Sequence, residues 1–282
     1  MRMPDLPMLT RPIPSSGEEM PVVGLGTWPV FDVGADEGAR RPLREVVRRL
    51  LDAGARMIDS SPMYGRAEGV AGDLLADLGA RPRAFLATKV WTSGRDAGIA
   101  QMRRSAGLLR GEVVELVQIH NLVDWRTHLA TLRQMKADGR VRYIGVTHYT
   151  NRALPELAHI LETEPGIDFV QCGYSLAARA AERDLLPVAA ARGVAVIVNQ
   201  PLGQGSLLRR VREGPLPEWA AEFDCASWAQ LLLKYILTEP AVTCVIPATG
   251  NPEHMSDNLA AGFGRLPGAD QRRRIRAFWD AL

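Results

Sequence analysis

Four side chains of the 282-residue sequence carry a chemical reading: Asp59, Tyr64, Lys89 and His120. Each stands at or just beyond the point where an apolar run stops. Met57-Ile58-Asp59 continues into Ser60-Ser61-Pro62-Met63-Tyr64-Gly65, Ala87-Thr88 runs into Lys89, and Gln118-Ile119 runs into His120. A carboxylate, a phenol, an ammonium and an imidazole gathered in one place can protonate an oxygen as a hydride reaches the neighbouring carbon. A free Tyr titrates near pH 10, so unaided it gives up its proton reluctantly. An ammonium ~4 Å away at an effective dielectric of ~20 favours the phenolate by roughly 4 kcal/mol before desolvation opposes it. Lys89 is therefore expected to activate Tyr64, and Asp59 to keep a buried Lys89 protonated. A neutral His120 can donate a hydrogen bond to a substrate carbonyl. Taken singly, each residue has a plain structural reading: a turn cap, a loop aromatic, a solvated strand end, a core histidine. Their recurrence on successive runs argues for a shared site.

Such a site needs elements that bring the run ends together. Short apolar, β-branched runs alternate with longer amphipathic segments, the pattern of βα units around a parallel sheet. Eight runs are found: Val22–Thr27, Arg56–Asp59, Ala84–Thr88, Leu116–Ile119, Tyr143–Thr147, Phe169–Gln171, Val194–Val198 and Thr243–Ile246. Helical stripes follow them, such as Val46, Val47, Leu50 and Leu51 before Gly54, or Leu129, Leu132 and Met135 before Gly139. With no linker or change of charge regime, the pattern predicts one α/β domain over residues 1–282, a (β/α)8 TIM barrel whose active site lies at the C-terminal strand ends. A dinucleotide-binding Rossmann sheet is disfavoured, because Gly24-Leu25-Gly26 has neither a third glycine nor a helix start at the needed spacing. Met8–Ile13, the polar stretch Ser15 to Glu18, and Met20–Val22 read as an N-terminal β-hairpin that could plug the barrel floor.

Composition narrows the function classes. With 34 Lys+Arg against 32 Asp+Glu, a net charge of +2 gives no electrostatic reason to expect nucleic acid or an anionic membrane as partner. The local cluster Arg272, Arg273, Arg274 and Arg276 is expected to be the solvated face of a terminal helix. Cys172, Cys225 and Cys244 are too widely spread for a metal knuckle, and a core of this size needs no disulfides. Met1 to Leu9 lacks the apolar stretch of a secretory leader, and no run approaches the roughly 20 apolar residues of a membrane span. A cytoplasmic protein, a monomer or weak homo-oligomer, is the expectation.

With these residues in view, the sequence resembles the aldo-keto reductase family over nearly its whole length. The resemblance rests on Met20-Pro21-Val22-Val23-Gly24-Leu25-Gly26-Thr27-Trp28, on Asp59 with Tyr64-Gly65, on Thr88-Lys89-Val90, on Gln118-Ile119-His120-Asn121 and on Gly139-Arg140-Val141-Arg142-Tyr143-Ile144-Gly145-Val146. It implies a catalytic tetrad of Asp59, Tyr64, Lys89 and His120, and hydride transfer from NADP(H), with NAD(H) possible, to a small aldehyde or ketone. It further assigns the cofactor's nicotinamide half to Gly26, Thr27, Trp28 and Asp59, with Thr147, His148 and Gln171 on the carboxamide. Asn199, Gln200, Pro201, Leu202, Gly203 and Gly205 would cover the pyrophosphate, where glycines let backbone N–H groups approach closely. Thr249, Gly250, His254, Asp257 and Asn258 would take the adenosine end, with no metal involved.

Several positions depart from the family pattern. His148 stands where Asn is usual and cannot present an amide's paired donor and acceptor. Asn199 replaces the frequent stacking aromatic. Ala248 and His254 replace the Lys and Arg that normally hold the 2′-phosphate, which diminishes charge-assisted contacts. Trp28, Trp91 and Asn121 are expected to line the substrate pocket, with Trp125 and Trp228 buried on helices. The stop at Leu282, soon after Phe278 and Trp279, leaves little room for the long C-terminal loop of larger members, so an open pocket of broad specificity is expected. A cofactor-binding module with little turnover is the alternative; a metal-dependent barrel hydrolase lacks a His-x-His pair at the first strand end.

Overall fold

Asp36 opens the first long helix by accepting a hydrogen bond from Ala39 N–H at 2.8 Å, the local chemistry expected of an N-cap. This helix, α1 (Glu37–Asp52), buries Leu43, Val46, Val47, Leu50 and Leu51, one stripe at helical spacing, and the chain turns away at Gly54 with φ +83°. The structure, a computed structural model, describes residues 7–282, so the reading of Met1–Leu9 falls mainly outside it.

Two strands precede α1's own βα unit: β1 (Thr10–Pro12) and β2 (Glu19–Pro21) pair antiparallel as the predicted hairpin. Eight further strands form one parallel sheet: β3 (Leu25–Gly26), β4 (Met57–Asp59), β5 (Phe85–Val90), β6 (Val114–His120), β7 (Val141–His148), β8 (Phe169–Gly173), β9 (Ala195–Asn199) and β10 (Val242–Val245). They pair in sequence order from β3 to β10. Closure comes from parallel bridges Val23↔Val245 and Gly26↔Ala248, with Gly24 N–H donating to Val245 O at 2.8 Å and Val245 N–H to Val22 O at 2.9 Å.

That seam explains why the first run yields so short a strand. Its residues divide their hydrogen bonds between two neighbours, β4 on one side and β10 on the other. It also explains Gly24-Leu25-Gly26. A Cβ on Gly24 would lie 2.9 Å from Met57 O, and one on Gly26 2.9 Å from Ile246 O. Here the glycines serve strand approach.

Between the strands run α2 (Ala67–Asp77), α3 (Arg95–Leu108), α4 (Trp125–Ala137), α5 (Leu154–Thr163), α6 (Ala181–Asp184), α7 (Leu186–Arg192), α8 (Ser206–Arg210), α9 (Trp228–Leu237), α10 (Pro252–Ala260) and α11 (Ala269–Asp280). One apolar cluster fills the space between strands and helices. A second, containing Met57, Phe85, Leu116, Tyr143, Phe169, Ile197 and Cys244, fills the barrel interior, and Ile13 and Met20 of the hairpin belong to it. The hairpin thus closes the floor, where the Tyr143 hydroxyl lies 2.8 Å from Ser16 Oγ and 2.7 Å from Glu18 Oε2. Side chains alternate across each strand. The strands that send Met57, Ala87 and Leu116 into the interior therefore send Asp59, Lys89, Gln118 and His120 to the same side, nearer the opposite end.

The terminal basic cluster departs from expectation. Arg273 and Arg274 are exposed, but Arg272 turns inward, 2.9 Å from Glu182 Oε1, 3.2 Å from Glu239 Oε2 and 2.7 Å from the Tyr174 hydroxyl. The run of arginines hid this, because two α11 positions face Glu182 of α6: Arg276 also pairs with it, 3.3 Å from Oε2. Trp125 is buried as expected, whereas Trp228 is half-buried, its indole donating to Gly214 O at 3.1 Å. No helix among the described residues is long and apolar enough to cross a membrane.

Candidate active site

The four groups singled out by type and spacing meet at the C-terminal ends of β4, β5 and β6. Asp59 ends β4, Lys89 is the fifth residue of β5, His120 ends β6, and Tyr64 rides on the loop after β4. Lys89 is fully buried, and its Nζ lies 2.7 Å from Asp59 Oδ2 and 2.7 Å from Ser60 O. The Tyr64 ring sits over it, with Nζ 5.0 Å from the ring centroid. His120 packs edge-on against Tyr64, their centroids 5.8 Å apart at 88°. The loop holding Tyr64 is pinned by Tyr64 N–H on Ser61 O at 2.9 Å and by Arg66 on Asp32 at 2.9 Å.

Electrostatics follow from this burial. Desolvation works against the Lys89 ammonium, but the charge of Asp59 and the neighbouring Tyr64 outweigh it and hold its pKa above the ordinary value. For Tyr64 the balance differs from the sequence-based expectation. Burial raises its pKa and wins over the opposing pull of Lys89, so the phenol stays protonated at neutral pH. His120 is pushed down to about 3 by burial, then by the charge of Lys89 and by His148, and is a neutral imidazole. Its Nδ1 lies 2.9 Å from Ser61 Oγ.

Sequence reasoning missed a polar belt under these groups. Asp59 Oδ1 accepts from Gln171 Nε2 at 3.0 Å and from Gln118 Nε2 at 3.4 Å. The lone Gln118 in an otherwise apolar run was the available signal. Behind Lys89, buried Glu68 accepts from Ser105 Oγ at 3.1 Å and from Thr88 Oγ1. Burial raises its pKa while those hydroxyls oppose the shift. Thr27 Oγ1 donates at 3.0 Å to Asp59 O and lies 3.0 Å from Ser60 Oγ.

The residues expected at the cofactor spread around the same mouth. Thr147 Oγ1 donates to Gln171 Oε1 at 3.0 Å, so Thr147, Gln171 and Asp59 form one chain, and Gln171 is tied to the carboxylate in addition to standing where a carboxamide contact was expected. His148 Nδ1 accepts from Thr150 N–H at 3.2 Å, and burial lowers its pKa, which leaves Nε2 as the protonated nitrogen. Asn199 Oδ1 is buried without a hydrogen-bond partner. His148 thus offers a donor and Asn199 a free acceptor at the ends of β7 and β9. After β9, Gln200, Gly203, Gln204 and Gly205 all have positive φ, and the N–H groups of Gly203 and Gly205 close turns onto Gln200 O at 2.9 Å and Leu202 O at 3.0 Å.

Thr249 and Asn258 are buried, Gly250 is half-buried, and His254 and Ala248 are exposed. Asp257, expected at the adenine, also reaches the start of a neighbouring helix. Its carboxylate takes the Ser227 hydroxyl at 2.8 Å and Gln230 Nε2 at 2.6 Å at the start of α9, because Ser227 caps that helix and the cap needs an anchor. On the rim, Trp28 is 44% exposed and Trp91 43% exposed, with Met63 at 44% beside Tyr64, so neither tryptophan serves as core. Asn121 follows His120 with φ +52°. Among the described residues, no group of His, Cys, Asp or Glu could hold a metal ion.

Known proteins resemble the chain in sequence and in fold. A sequence profile described as "Aldo/keto reductase family" matches residues 22–280. The chain is 32% identical over 255 residues to a protein named aldo-keto reductase from Mycobacterium sp. (strain KMS), covering 87% of this chain and 84% of that one. It is 29% identical over 284 residues to a methylglyoxal reductase of Escherichia coli, covering 96% of each. A crystal structure of an aldo-keto reductase from Klebsiella pneumoniae in complex with NADPH superposes with a TM-score of 0.82 at 25% identity, again over 96% of each chain.

Proposed function

Since the chain belongs to the aldo/keto reductase family, we propose that it reduces small aldehydes or ketones to alcohols with NADPH, and that Tyr64 is the proton donor. The observation that carries the reading is the fully buried Lys89 ammonium, held by Asp59 beneath a half-buried phenol. A buried charge costs several kcal/mol even after relaxation, so it needs a return, and stabilising a phenolate is one.

When bound, the cofactor supplies the hydride that the substrate's carbonyl carbon accepts. The residues do the rest. His120, neutral, donates a hydrogen bond to the carbonyl oxygen and orients it toward Tyr64. As negative charge gathers on that oxygen, Tyr64 gives it the phenolic proton, completing the alcohol. The phenolate left behind faces Lys89, an interaction of about 3 kcal/mol at ~5 Å and an effective dielectric of ~20. Asp59 keeps Lys89 charged, and Gln118 and Gln171 hold Asp59. Gly26, Thr27, Thr147, His148, Asn199 and the loop from Gln200 to Gly205 are the residues that would hold the cofactor, with Thr249, Gly250 and Asn258 at its far end.

The exposed Trp28, Met63 and Trp91 favour small, accessible carbonyl compounds, of the kind named for the Escherichia coli relative. A cytoplasmic setting suits an NADPH-dependent reductase with three unpaired cysteines. The test is NADPH consumption with a panel of small aldehydes and ketoaldehydes, alongside cofactor binding by tryptophan fluorescence. Turnover with several of them is expected. Tight cofactor binding with no turnover on any would replace this reading by the cofactor-binding module.

A further inference from the structure

We infer that Ser61 sets the tautomer of His120, keeping the ring proton on Nε2, and so acts as a positioning residue for the reduction. The inference rests on the reading of His120 given above and adds what that reading needs, a reason for the proton to sit on the nitrogen that can serve a substrate.

The argument is an accounting of hydrogens. Ser61 is wholly buried, and its hydroxyl oxygen already accepts from Met63 N–H at 3.2 Å. Its single O–H must go somewhere, and the partner within reach is His120 Nδ1 at 2.9 Å. A neutral imidazole carries one N–H. If Ser61 donates to Nδ1, that nitrogen is the acceptor and the ring proton is on Nε2, with every group satisfied. If instead Nδ1 carried the proton, it would donate to an oxygen that already accepts from Met63, and the buried Ser61 O–H would point at nothing. Leaving a buried donor unpaired disfavours that state about 5- to 150-fold.

The surroundings leave this hydrogen bond in charge. His120 is flanked by the Tyr64 ring at 88° and the Trp91 ring 6.4 Å away, and Lys89 adds a positive charge that resists a second ring proton. Nε2 has no partner among the described residues, while His120 keeps 6% exposure. The same Met63 N–H that directs the Ser61 hydroxyl lies one residue before Tyr64. The loop that presents the proton donor therefore also fixes the carbonyl-orienting group.

The measurement is the tautomer itself, read by long-range proton–nitrogen NMR on labelled protein, with the His120 signals identified by their loss in His120→Gln. The wild type should show Nε2 protonated and Nδ1 bare. Ser61→Ala should shift both ring nitrogens toward an averaged mixture, and near-isosteric Ser61→Cys, a weaker donor, should fall between. In the same variants kcat should drop roughly 3- to 10-fold with cofactor Kd unchanged. Nδ1 protonated in the wild type, or wild-type ring shifts retained in both variants, would overturn the assignment to Ser61. A tautomer shift with unchanged kcat would uphold the assignment and remove His120 from the reaction, so the two readings fail separately.

Discussion

Tyr64 is placed under opposed demands. Burial raises its pKa, which keeps the proton on at neutral pH, while Lys89 lowers the cost of losing it once a substrate oxygen becomes basic. The pH dependence follows with a definite sign. In the proposed role, reduction needs protonated Tyr64 and should be lost as pH rises through its raised pKa, above the ordinary value near 10. His120, at about 3, does not titrate in the working range. kcat at saturating NADPH should therefore stay level from about pH 6 to 9, without the limb that an ordinary His of pKa ≈ 6.5 would give. A fall in rate centred near neutrality would remove Tyr64 or neutral His120 from these roles. Tyr64→Phe should leave cofactor Kd within about twofold and lower kcat by roughly 10²-fold or more, because it removes an interaction made in the transition state. Near-native turnover would sink the assignment.

At the scale of elements, the loop from β4 to α2 does most of the positioning. Gly65 has φ +62°, and a Cβ there would lie 2.4 Å from the Asp32 carboxylate that anchors Arg66. Gly65→Ala should cost about 1–3 kcal/mol in urea unfolding and reduce kcat more than it raises KM, since Tyr64 moves with its neighbour. Unchanged stability would show that the loop adapts. The elements themselves were readable from hydrophobic period: all eight runs are strands or parts of the barrel wall, and the tetrad sits at their ends because the period of two fixes which side chains face inward. What escaped reading was long-range. Ser61 meets His120 from fifty-nine positions away, Gln171 meets Asp59 across the barrel, and Asp257 accepts from Ser227 at the start of α9. Arg272 and Arg276 escaped for the same reason, their shared partner Glu182 on α6 being invisible in a local window. No local pattern encodes which polar groups share a layer once the sheet closes.

For the whole molecule, the two barrel ends have separate work. The mouth holds the groups proposed to react and the floor holds the hairpin, joined by interior side chains. Ile13→Ala should open a cavity under the interior cluster and cost about 2–5 kcal/mol, read by urea denaturation. kcat at 25 °C should be retained. Loss of activity without loss of stability would mean that floor and mouth are coupled. Lys234, buried in α9, donates to the carbonyls of Phe223, Phe263 and Arg265 at 2.6, 2.7 and 3.0 Å, tying the segment before α9 to the segment after α10. Lys234→Met should cost about 3 kcal/mol or more, because several buried carbonyls lose a charged donor at once.

The seam between β3 and β10 also orders events in time. As the chain leaves the ribosome, β4 to β9 can each add to the growing edge of the sheet, but the free side of Gly24 must wait for Val245. Until then the sheet has two unpaired edges, and closing so long a loop carries the largest entropy cost of any strand pairing here. Asp59, Tyr64, Lys89 and His120 all lie ahead of that moment, so the reactive corner can be assembled while the wall that completes the mouth is still unmade. In the finished protein the seam should be the first part of the wall to open. Hydrogen exchange should find the amides of Gly24 and Val245 less protected than those of Val117 and Ile119 in β6, and chaperones that guard unpaired strand edges should engage this protein late in its synthesis, when a single missing pairing separates a barrel from an open sheet.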